Sequence, residues 1–100
     1  NRGPVKPLPK QSPILIGQSN RVTLDWVGPI EPLLERLAHA THYTLKTFGR
    51  PTAIATTVSI HSKNVPISDV LQNIIYQSQN SVDVVRDTQR RIIELRYPNT

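Results

Sequence analysis

The 100-residue chain has no cysteine and no methionine, one tryptophan, one phenylalanine and only four glycines. Without cysteine, disulfides, thiol catalysis and thiolate metal sites are excluded, although the absence fits an oxidising compartment as well as a reducing one. Gly3, Gly17, Gly28 and Gly49 stand apart from one another, so there is no glycine-rich loop to cradle a phosphate. Also missing are a GxSxG elbow, a paired-carboxylate motif and the GxxG loop through which KH modules grip nucleic acid. No stretch approaches the roughly 18 consecutive apolar residues of a membrane span. Neither enzymatic activity nor a cofactor is expected. With no initiating methionine and no recognisable leader, the sequence reads as a processed product or an excised piece.

What is present suffices for one small domain. A hydrophobic fraction of 37% supports a single modest core. The net charge of +5 raises the alternative of a nucleic-acid-binding module that uses a basic N-terminal tail. Its distribution argues against that alternative. Arg2, Lys6, Lys10 and Arg21 are unopposed by any acid, whereas from Val22 onward eight Lys and Arg meet seven Asp and Glu. Phosphate binding needs several basic groups held on one face, and no nucleic-acid partner is expected.

The organising feature is a repeated strand-to-helix pattern. Ile67, Val70, Leu71, Ile74 and Ile75 follow Pro66 at the spacing that lines one face of an α-helix. Thirty-seven residues earlier, Ile30, Leu33, Leu34, Leu37 and Ala38 follow Pro29 in the same way. Both stripes are expected to be buried. Pro32 must lie in the first helical turn, because a proline deeper inside costs about 3 kcal/mol or more. Asn64 or Ser68 is a candidate cap for the second helix, with Asp69 facing the positive end of its dipole.

Alternation predicts strands at Arg21–Trp26, His42–Phe48, Ala53–His61, Ser81–Arg86 and Arg91–Tyr97, with helices near 29–41 and 66–78. The order βαββαββ predicts an α+β two-layer sandwich, with two helices on one face of a mixed sheet. Residues 1–20 contain Pro4, Pro7, Pro9 and Pro13 and read as a semi-rigid linker ahead of a module at 21–98. Within that linker Ile14, Leu15 and Ile16 form an apolar island that suits an added edge strand or a partner contact.

The remaining candidates are surface residues. His39 and His42 have metal-ligand spacing, but His61 lies on a separate strand and Glu35 is an ordinary helical neighbour of His39, so no metal site is expected. Trp26 suits core packing or a partner contact. Phe48 and Ile92 fall out of phase with the apolar residues of their strands, which points to a second buried face or an interface. The partner-contact candidates are therefore Trp26, Phe48, Ile92, Ile14, Leu15 and Ile16.

The helix opening Val65–Ile74, in its strand and helix context, resembles the short N-terminal domain of secretins and the related periplasmic domain of TonB-dependent transducers. More narrowly, VTLDWVGPIEPLLERLA at 22–38, NVPISDVL at 64–71 and RIIELRYP at 91–98 resemble the DotD lipoproteins of type IVB secretion systems and their TraH counterparts in conjugative plasmids. The resemblance covers about residues 21–98. It implies a periplasmic, outer-membrane-associated structural subunit beside DotH-like and DotC-like partners in a ringed core complex. The lipid-bearing cysteine of such a protein is absent here and would lie upstream of Asn1, making the proline-rich stretch part of a tether. The transducer likeness leaves a periplasmic ligand-sensing domain as a further alternative.

Overall fold

The computed structural model describes residues 14–51 and 54–98. Strand β1 (Leu15–Ile16) and a short 3-10 turn (Gln18–Asn20) precede β2 (Arg21–Pro29), helix α1 (Ile30–Ala40) and β3 (Thr44–Phe48). Then come β4 (Thr57–Pro66), α2 (Ile67–Ser78), β5 (Asp83–Asp87) and β6 (Ile92–Arg96). The chain is α+β, with one strand more at its start than the sequence reading provides. Residues 1–13 of the expected linker lie outside the described residues, as does position 53, the first of the expected third strand.

The strands do not form the single sheet expected. They divide into two three-stranded sheets, in the orders β1-β2-β4 and β3-β6-β5. The first is antiparallel throughout, whereas the second is mixed, with β6 parallel to β3 and antiparallel to β5. The division arises because β2 and β4 pair with each other over almost their whole length, from Arg21 opposite Pro66 to Pro29 opposite Thr57. The strands that follow the helices are left to flank β6. One core joins the sheets through the helices: Val22, Leu24, Trp26 and Ile60 meet the stripes of α1 and α2, together with Val84, Ile93 and Leu95.

Pairing with β2 also carries β4 five residues past the predicted strand end. The register slips between Val22 and Leu24, where Thr23 alone faces Lys63 and Asn64. This is a β-bulge. Asn64 takes φ 56°, a left-handed conformation that asparagine tolerates, and its amide donates to Thr23 Oγ1 at 2.8 Å. Asn64 is therefore a strand residue, and the expected cap is corrected. Pro66 occupies the N-cap of α2 and Pro29 that of α1, both extended and neither making a side-chain cap bond.

The end of α1 has a definite stop. His42 adopts φ 63°, while Tyr43 N donates to Ala38 O at 2.8 Å and His42 N to His39 O at 3.3 Å, the two bonds of a Schellman motif. His42 thus fills a backbone position usually given to glycine. At the end of β3, Gly49 has φ 85°, and a Cβ there would come within 2.8 Å of the Tyr97 carbonyl oxygen. Only glycine fits that passage without a shift.

Candidate interaction surfaces

Sheet-face alternation decides which side chains reach solvent. On β2 and β4, Val22, Leu24, Trp26, Val58 and Ile60 point into the core, so Thr23, Asp25, Ser59, His61 and Lys63 point out. Asp25 lies directly opposite His61 in the register. Its Oδ1 bonds His61 Nδ1, and His61 Nε2 meets Ser59 Oγ at 3.1 Å. This polar row borders a hollow of about 440 Å³ lined by Leu15, Thr23, Leu24, Asp25, His61 and Lys63, with Ser62 beside them.

Hydroxyl, imidazole and carboxylate here follow the order of a serine-hydrolase triad. The surroundings differ from one. Ser59 N, a backbone donor beside the hydroxyl, already donates to Gln77 Oε1 at 2.8 Å, and both Ser59 and His61 are exposed to solvent. Stabilising an oxyanion requires free, preorganised donors in a water-excluded site. The row is a solvent-exposed polar ladder that runs along β4 and across to β2.

The outer face of the second sheet carries Thr44, Lys46 and Phe48 from β3, Ile92, Glu94 and Arg96 from β6, and Asp83, Val85 and Asp87 from β5. Phe48 is 45% exposed and lies under the Arg96 guanidinium, 5.5 Å from ring centroid to Cζ. Arg96 is held in place by Glu94 Oε1, at 3.0 Å from Nε and 2.6 Å from Nη2. The structure thus brings Phe48 and Ile92 onto one face and adds Val85, which the sequence reading did not single out.

Trp26 does not join them, and its candidacy as a partner contact is overturned. It is fully buried, because the β2 alternation turns it into the core. Its Nε1 donates to Pro29 O at 3.2 Å, and Arg36 covers its ring at 5.3 Å. Ile14 packs partly against the core, whereas Leu15, 60% exposed, and Ile16 sit on β1 at the rim of the first sheet. His39 is exposed near the end of α1, and among the described residues no group of three or more His, Cys, Asp or Glu converges to hold a metal ion.

A smaller hollow of about 120 Å³ lies between Pro29, Ile30, Glu31, Thr56 and Tyr97, closed by Pro51 and Ala55. Tyr97 Oη donates to Glu31 Oε1 across it. Burial, then the Glu31 carboxylate, pushes the Tyr97 phenol well above its usual pKa, so it remains a protonated donor.

The polar ladder and Gln77 escaped the sequence reading. Ser59 and His61 share a strand face by simple alternation, but joining them to Asp25 requires the long-range register.

Among the described residues no helix is long and apolar enough to cross a membrane. No curated protein matches the chain significantly. A family model described as the DotD protein matches residues 3–97. That match spans nearly the whole sequence, and the chain accordingly belongs to the DotD family, whose members are components of type IV secretion.

Proposed function

We propose that this chain is a structural subunit of the outer-membrane core complex of a type IVB-like secretion or conjugation apparatus. It acts through protein–protein contacts in the periplasm, beside DotH-like and DotC-like subunits. A lipid anchor upstream of Asn1 would hold it to the outer membrane, with the proline-rich start as the tether to a secretin N-domain-like module.

The observation that carries this reading beyond the family is the collection of Phe48, Ile92 and Val85 on one solvent-facing sheet surface rather than around an enclosed site. These three side chains alternate with Lys46, Glu94 and Arg96 across the face, the mixed apolar and polar composition of a non-obligate protein interface.

Capture of the full-length lipidated protein from membrane extracts tests the proposal. The native protein should recover the other core subunits, and the Phe48→Glu, Ile92→Glu double variant should lose them while keeping its circular dichroism spectrum. Undiminished capture by a folded double variant would remove this face from the proposal, and failure of the native protein to recover any core subunit would overturn the assembly role.

A further inference from the structure

The two sheets end differently at their edges, and an open edge is a ready template for another strand. In the first sheet, the outer edge of β4 is occupied at Ser59. Gln77 Oε1 accepts from Ser59 N at 2.8 Å, and Gln77 Nε2 donates to Ser59 O at 2.7 Å, so the side-chain amide fills the place of a neighbouring strand. Asn73 Oδ1 holds that amide at 2.9 Å. The opposite edge, β1, is only two residues long.

The second sheet has a five-residue strand at each edge. Thr44 N donates to Arg91 O and Tyr97 N to Phe48 O, so Thr44, Lys46 and Phe48 spend their backbone groups on β6. Leu45 and Thr47 therefore aim N–H and C=O away from the sheet. On the other side, Asp83, Val85 and Asp87 face β6, and Val84 and Arg86 aim outward. Among the described residues no strand lies beyond β3 or β5.

We infer that copies of this chain pair head to tail, with β3 of one copy laid antiparallel along β5 of the next. The inference rests on the assembly reading above and names one partner within it. Placing Leu45 opposite Arg86 and Thr47 opposite Val84 closes two hydrogen-bonded pairs with the outward groups just described. The same register sets Lys46 opposite Val85 and diagonally between Asp83 and Asp87, a basic residue among acidic ones. It also lays Phe48 diagonally beside Val85, covering two apolar side chains that are 45% and 46% exposed in the single chain. Because the two strands are opposite edges of one sheet, the contact is heterologous, and repeating it generates a ring or an open filament.

The absence of cysteine makes the test direct. Lys46 and Val85 would form a non-hydrogen-bonded pair, the closest kind across antiparallel strands and near enough for a disulfide. Lys46→Cys mixed with Val85→Cys under oxidation should give about tenfold more disulfide dimer than either variant alone. Thr47→Pro removes an outward N–H that no internal bond uses, so adding it to the Lys46→Cys chain should abolish cross-linking while the circular dichroism spectrum stays native. Self-linked dimers exceeding the mixed one, or no mixed dimer from folded chains, would overturn the inference. Capture of core subunits by the full-length native protein, set beside the disulfide yield of the Lys46→Cys and Val85→Cys mixture, separates the two proposals. Recovery without cross-linking leaves the assembly role standing and the copy-to-copy pairing wrong, whereas cross-linking without recovery does the reverse.

Discussion

The two strand–helix halves, β2 with α1 and β4 with α2, begin from nearly the same local structure and end in different roles. Pro29 and Pro66 cap their helices at φ and ψ of −66° and 148° in one case and −61° and 150° in the other. The first helix then buries its entire stripe, including Ala38, and ties down its wet side through Arg36 over Trp26 and Glu31 to Tyr97. The second helix buries Val70, Leu71 and Ile74, but Ile75, the counterpart of Ala38, is 37% exposed and Tyr76 beside it 74%. Contrary to the sequence reading, the second stripe is thus not fully buried. A larger side chain at the fifth position of the stripe projects past the edge of the core that the small alanine fits within. One half closes the core, and the other keeps apolar groups at the surface.

The sharpest way to break that comparison is to truncate matched stripes. Leu37→Ala should cost about 2–5 kcal/mol, the range for a fully buried leucine. Ile75→Ala should cost only about 1–2 kcal/mol, since part of its side chain already meets water. Urea denaturation measures both, and equal losses would erase the distinction between the halves.

A smaller effect separates the two exits from the helices. Gly49→Ala forces a side chain into the left-handed region against the Tyr97 carbonyl and should cost about 1–3 kcal/mol. In the second half the exit strand closes on a polar turn, where Asp87 Oδ1 accepts from Gln89 N and Arg90 N at 3.0 and 3.1 Å. Asp87→Ala should therefore cost only about 1 kcal/mol. Melting temperatures that reverse this order would show that the Gly49 passage relaxes.

The smallest effect appears only at alkaline pH. The folded chain holds the Tyr97 phenol above its unfolded pKa, first by burial and then through Glu31, so the unfolded state ionises first as pH rises. The stabilisation is complete below the unfolded value of 10.0 and declines above it. Thermal melts from about pH 8 to pH 11 should fall more steeply for the native chain than for Tyr97→Phe. Parallel curves would mean that the phenol is not held this way.

Much of the local architecture could be read from residue order, because helical spacing and proline position act over short distances. Pro29, Pro66 and their stripes mark both helices, and the phase of Phe48 and Ile92 marks an outward face. Pairing partners could not be read in the same way. Alternation states which side of a strand is apolar but not which strand lies beside it, so the division into two sheets was hidden. The bulge at Lys63 and Asn64 was hidden for a related reason: an extra residue in one strand shows only against the other. His42 looked like a potential ligand by spacing, whereas its role is to turn the backbone at the end of α1.

The short strand β1 bears on how the molecule would respond to mechanical load. Its register joins only Leu15 to Thr23 and Ile16 to Val22, followed by the Gly17 N to Arg21 O bond at 2.8 Å. Strand β2 is gripped on both sides and by the core beneath it. A pull arriving through the preceding residues would strip these few bonds first and lengthen the lead by several residues. Apart from Ile14, which packs partly against the core, the buried residues lie on other elements, so β1 would give way before the rest of the fold.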